Sequence, residues 1–131
     1  MKTKKVNRYY CDYCQKSGGA AGHIRRHESA CTMNPNRVCR TCLLMEATQA
    51  KMEDLIAILP NAELHKTDSD DYSPTLTVAA NEVLPKLRKA ANNCPACILA
   101  AIRQAHIPVP MVTDFDFAAE LRRAATKERP V

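Results

Sequence analysis

The sequence predicts a mainly α fold: a small cysteine- and histidine-rich module in front, and a helical bundle behind it. Three observations carry that expectation. The 131-residue chain has no Trp, two Phe and four Tyr. Its apolar content is therefore chiefly Ala, Leu, Ile, Val and Met, which favours packed helices over a sandwich or barrel of strands. Apolar residues recur at three- and four-residue steps over much of residues 44–124. All seven cysteines, together with one histidine, fall into two sets of four. A core so short of large side chains is a weak source of stability, and closure by a metal would help it.

Taken in order, residues 1–10 form a basic arm, residues 11–38 the Cys/His module, and residues 39–131 a helical domain. In that domain Leu44, Thr48, Met52, Leu55 and Leu59, widened by Met45 and Ile56, predict one helix over residues 43–59 that Pro60 ends. Asp68, Ser69, Asp70, Asp71, Ser73 and Pro74 mark an acidic, turn-forming loop. Helical spacing resumes at Leu76, Ala80, Val83, Leu87 and Ala91, where Pro85 must either kink the helix or start a second one. A short strand over Leu76–Val78 is the alternative there. Ile98, Leu99, Ile102 and Ala105 predict a further helix over residues 97–106, stopped by Pro108 and Pro110. Thr113 or Asp114 can cap a last helix bearing Phe117, Leu121 and Ala124, and Pro130 closes it. Asp114 and Asp116 otherwise read as caps and surface charges. His65 reads as a solvated side chain and His106 as structural, near a helix C-terminus.

The chemistry lies in the spacing. Cys11-x2-Cys14 is followed after twelve residues by His27-x3-Cys31, and Cys39-x2-Cys42 finds a counterpart in Cys94-x2-Cys97. Zinc takes four N or S ligands in a tetrahedron, and a Cys-x2-Cys turn supplies two at once. His27 and Cys31 are four apart, so on a helix they share one face. Two Zn2+ ions per chain are expected. Each pair of the second set precedes an apolar helix, and helix N-termini favour a cluster of thiolates. That second site would pin two helix starts together across some fifty residues. An alternative first set, Cys11, Cys14, His23 and His27, has an eight-residue linker and leaves Cys31 spare. The rival for the second set is redox chemistry: Cys94-Pro95-Ala96-Cys97 resembles the thioredoxin-like C-P-x-C motif. That motif needs a strand just before it, whereas Leu84–Asn93 reads as helical and then polar.

Residues 9–31, with Tyr9 two before Cys11 and Ile24 three before His27, resemble the zinc-finger family of the two-Cys, two-His type, in its variant with Cys as the fourth ligand. The twelve-residue linker is the one that finger geometry uses, which favours Cys31 over His23. The resemblance implies a β-hairpin and helix around one zinc. It also implies base-reading positions at Ala20, His23 and Arg26, with Arg25 or Lys16 on phosphate. Gly18 departs from the pattern, standing where the family carries a core aromatic. Gly18, Gly19 and Gly22 weaken the helix start by roughly 1 kcal/mol each where they fall inside it.

Charge is uneven. The chain carries +5, but residues 1–42 hold nine Lys or Arg against Asp12 and Glu28, a net of +7, leaving −2 for the remainder. A basic half that is also the first metal module suggests a polyanionic partner. The leading expectation is a non-enzymatic zinc protein binding nucleic acid through Lys16, His23, Arg25 and Arg26, mostly at phosphate. Its alternatives are a zinc-stabilised protein-interaction adaptor with a protein partner and, third, a thiol redox protein using Cys94 and Cys97. No P-loop, dinucleotide-binding turn or nucleophile–base signature is present, so no enzyme activity and no small-molecule substrate are expected. Size and composition suit an accessory protein. With no apolar stretch of signal or membrane-spanning length, the expected setting is a reducing cytoplasm, with the nucleus also open and no membrane partner.

Overall fold

The structure, a computed structural model, describes residues 1–127. It is mainly α, with a two-stranded antiparallel hairpin at the front: β1 (Tyr9–Tyr10) pairs with β2 (Ser17–Gly18) in the register Tyr9–Gly18 and Tyr10–Ser17. Helix α1 (Ala21–Ala30) packs back on the hairpin and buries one apolar side chain, Ile24. Its N-cap is Ala20, which offers no side-chain acceptor to the first turn.

The helix predicted over 43–59 is two helices. The first, α2 (Arg40–Leu44), begins earlier, and α3 (Met52–Ile58) follows after a loop. Glu46 adopts a left-handed conformation with φ of 54°, and the Ala47 N–H bonds the Cys42 carbonyl while the Glu46 N–H bonds that of Leu43. This is a Schellman stop, which periodicity of apolar residues does not reveal. Thr48, expected on the helix face, lies in the loop, where its carbonyl accepts from Asn92 Nδ2.

Helix α4 (Pro74–Ala90) runs unbroken through Pro85, and no strand forms at Leu76–Val78. Ser73 caps it by accepting from the Thr75 N–H, and Pro74 sits where a missing N–H costs nothing. Its buried face is Leu76, Ala80, Leu84 and Leu87, so Leu84 rather than Val83 carries the third contact. Pro85 points outward from that face and is exposed. The helix ends in a second Schellman turn, with Asn92 and Asn93 both at positive φ and the Asn93 N–H on the Arg88 carbonyl.

Helix α5 (Pro95–Gln104) is the axis of the bundle. Pro95, Cys97, Ile98, Ala100, Ala101 and Ile102 are all buried, and α3, α4 and α6 (Phe117–Lys127) pack around them. His106 supplies the left-handed residue that ends α5. The cap of α6 is Asp116, whose Oδ1 accepts from the Ala119 N–H, rather than Thr113 or Asp114. Asp114 and Thr113 instead meet Asn81 on α4. Arg88 reaches from α4 to Glu120 on α6 at 3.0 Å. The expected closure at Pro130 lies outside the described residues. No helix among those described is long and apolar enough to cross a membrane.

Candidate metal centres

The first cluster is built on the hairpin and α1. Between the strands the chain turns tightly: the Cys11 N–H bonds the Lys16 carbonyl at 2.7 Å, the Gln15 N–H bonds the Cys11 carbonyl, and Gln15 takes a φ of 65°. The Tyr13 N–H also points at Cys11 Sγ, 3.4 Å away. This puts both thiols of the turn on one side. His27 and Cys31, one helical turn apart, arrive from α1, and His27 Nε2 lies 3.0 Å from Cys14 Sγ. The ligand atoms of Cys11, Cys14, His27 and Cys31 all fall within 4.8 Å of one another. His23, the alternative ligand, is exposed and stands outside this group. The reason is position along the axis: Cys31 follows His27 by one turn and reaches the group, while His23 precedes His27 by one turn and does not.

The second cluster brings together the starts of α2 and α5. Cys39 is the N-cap of α2 and accepts from the Cys42 N–H at 3.4 Å; Cys94 is the N-cap of α5, followed by Pro95. Cys39 Sγ lies 3.5 Å from Cys94 Sγ, and Cys42 Sγ lies 3.5 Å from Cys97 Sγ. All four sulfurs fall within 4.8 Å of one another and all four residues are buried. None of the seven cysteines is in a disulfide. A sulfur–sulfur bond is about 2.05 Å long, whereas four thiolates around a zinc at 2.3 Å form a tetrahedron with edges of about 3.8 Å. The observed separations fit the tetrahedron. Each cluster could therefore hold a metal ion, and its donor set, three sulfurs with an imidazole or four sulfurs, fits zinc.

Electrostatics differ between the two. In the first, burial works against the Cys14 thiolate, but hydrogen bonds from the Lys16 backbone and the His27 ring bring its thiol down to about 7. Burial pushes Cys31 up to about 11. In the second, hydrogen bonds from Cys94 and Cys97 hold Cys39 far below the usual thiol range, and Cys97, bonded to Cys39 and Cys94, is held far above it. Burial pushes Cys42 up to about 12. A cation held among the four buried sulfurs would let all of them carry negative charge.

Two residues without any spacing signal complete the second cluster. Arg37 is buried, and its Nη1 lies 3.7 Å from Cys97 Sγ. Gln49 reaches back from the loop after α2: its Oε1 accepts from the Cys39 N–H at 2.7 Å and its Nε2 donates to the Arg37 carbonyl at 2.7 Å. No signal in the sequence could have pointed here, since nothing in the chain before folding distinguishes Arg37 from its exposed neighbours.

The linker between the clusters is clamped to α5. Arg103 donates to Thr32 Oγ1, and Gln104 donates to the carbonyls of Thr32 and Asn34. Of the residues predicted to meet nucleic acid, Lys16 is exposed beside β2, and His23, Arg25 and Arg26 are exposed on α1. Cys94 and Cys97 are wholly buried, and a helix precedes them, not the strand a thioredoxin-like site requires.

Together these features define a class: a small, mainly helical protein with two clusters of four Cys/His side chains that could each hold a metal ion, one inside a hairpin–helix module and one inside a helix bundle. In comparisons with protein-family models, curated proteins and solved structures, nothing matches this chain.

Proposed function

We propose that this chain is a non-enzymatic protein that holds two zinc ions and binds nucleic acid through residues 1–42, chiefly by contact with phosphate. One observation carries the reading. Of the nine Lys and Arg in that segment, eight are exposed: Lys2, Lys4, Lys5, Arg8, Lys16, Arg25, Arg26 and Arg40. They surround a module stapled by its own cluster, so the positive field is presented on a fixed frame as well as on the arm. Tyr10 and Tyr13, exposed among these charges, add faces on which bases can stack. A single module of this kind covers only about 3 bp, so affinity comes from charge and falls steeply with added salt. Retention of DNA and RNA at rising salt, for the native chain and for Arg25→Ala with Arg26→Ala, tests it. Loss of two phosphate contacts should lower the slope of log K against log salt by about 1.4–1.8. Identical retention of the double variant at low salt contradicts the reading.

A second reading has its own support. Val38, Leu43 and Leu44 lie exposed on and beside α2, and three large aliphatic side chains within seven residues suit a protein-docking role. Capture of a defined protein partner that Leu43→Ser with Leu44→Ser abolishes, with no nucleic acid carried through purification, would favour the adaptor.

A further inference from the structure

We infer that Arg37 is the counter-charge of the Cys39/Cys42/Cys94/Cys97 centre, a positioning residue that sets how tightly that centre holds its cation. The inference rests on the reading that this cluster binds a divalent metal. A divalent ion with four thiolates carries a net charge of −2, and this centre is sealed in the core, where every one of its cysteines is 1 % exposed or less. An uncompensated buried charge of that size is costly. Arg37 is the cation placed to offset it.

Its placement is specific. At 5 % exposure it is the single buried member of the nine basic residues of the N-terminal segment. Its Nη1 donates toward Cys97 Sγ at 3.7 Å, and its Nε, also buried, has no oxygen or nitrogen partner. No acidic side chain pairs with it among the described residues; the negative charge in reach is sulfur. The backbone is fixed independently of the metal: the Arg37 N–H bonds the Asn34 carbonyl, and the Arg37 carbonyl accepts from Gln49. The same Gln49 holds the Cys39 N–H. Arg37 thus sits on the linker between the two centres and delivers its charge to only one of them.

The test is metal competition on the full-length chain, using Co2+ and Zn2+ against a chromophoric chelator. Co2+ reports the two centres separately, because four thiolates and three thiolates with an imidazole give different absorption bands. Arg37→Met keeps the aliphatic stem without the charge, Arg37→Gln keeps a donor without the charge, and Arg37→Lys keeps the charge. In Met and Gln variants the four-thiolate centre should lose about ten- to a hundredfold in affinity, the scale of an outer partner's removal, and its absorption bands should shift. The three-thiolate centre should be unchanged, and Lys should recover most of the loss. If Met does not fold, Gln against Lys decides. Equal affinity within about threefold across native, Met and Gln chains, or a Lys variant no better than Gln, overturns the role of Arg37. A native chain that takes up only one ion contradicts the underlying reading of the cluster instead.

Discussion

The two clusters sit in unlike surroundings. Around the first, the buried apolar set is Cys11, Ile24 and Cys31, with Cys14 and Met33 packed against it: three of the five are ligands. Around the second, Cys39, Cys42, Cys94 and Cys97 are four members of a core of twenty buried residues that includes Leu55, Leu76, Leu84, Leu87, Ile98 and Ile102. The hairpin–helix module buries little apolar surface of its own, so on the reading proposed above a metal ion would serve there as the core. In the bundle, apolar burial provides most of the cohesion, and a metal ion would join the starts of α2 and α5 within it. On that reading one ligand chemistry would perform two tasks, creating a fold in one place and fastening a fold in the other.

Metal removal should separate the two most strongly. Exhaustive chelation under reducing conditions should abolish amide protection across residues 9–31, since a structural zinc contributes on the order of 10 kcal/mol to such a module. The buried amides of α4 and α5 should keep measurable protection, weakened most near Cys39 and Cys94. Hydrogen exchange resolved by segment checks this, and equal loss in both regions would break the contrast.

A core truncation should work in the opposite sense. Ile98 is fully buried on α5, so Ile98→Ala should cost about 2–5 kcal/mol of bundle stability. Thermal unfolding of the metal-loaded protein measures it, and the metal affinity of the first cluster should stay as it was. A fall in that affinity would show that the module leans on the bundle through the Arg103 and Gln104 clamps more than on its own ligands.

The smallest effect sharpens the picture at the far end of the bundle. Asp116→Ala removes the cap of α6 and should cost about 1 kcal/mol, seen as a modest drop in melting temperature with both metal affinities unaltered. A larger loss would mean that α6, through Arg88 and Glu120, contributes more to the core than its buried Ala124 suggests.

The parts legible in the sequence are those with local cause. Cysteine spacing marked the two groups of four, because two ligands per turn and a one-turn step on a helix are short-range geometry. Apolar periodicity marked α4 and α5 for the same reason. The stops were harder. Glu46 carries no mark of a left-handed residue, so α2 and α3 read as one helix, whereas Asn92 and Asn93, which end α4 at positive φ, are of a type that tolerates that conformation. Pro85 looked like a break, yet it lies on the outer side of α4 and the buried face passes it by. Arg37 and Gln49 could not be read at all, since their roles come from contacts 60 and 10 residues away in the chain. The exposure of the basic residues on α1 follows from which face Ile24 and His27 bury, and so was half visible.

The most direct test is elemental analysis of the purified, reduced protein, counting metal against chain concentration. Two zinc ions per chain are expected. A fully folded chain with no metal would contradict this outright, and a single ion would leave four buried sulfurs around Cys39 with no cation to gather them.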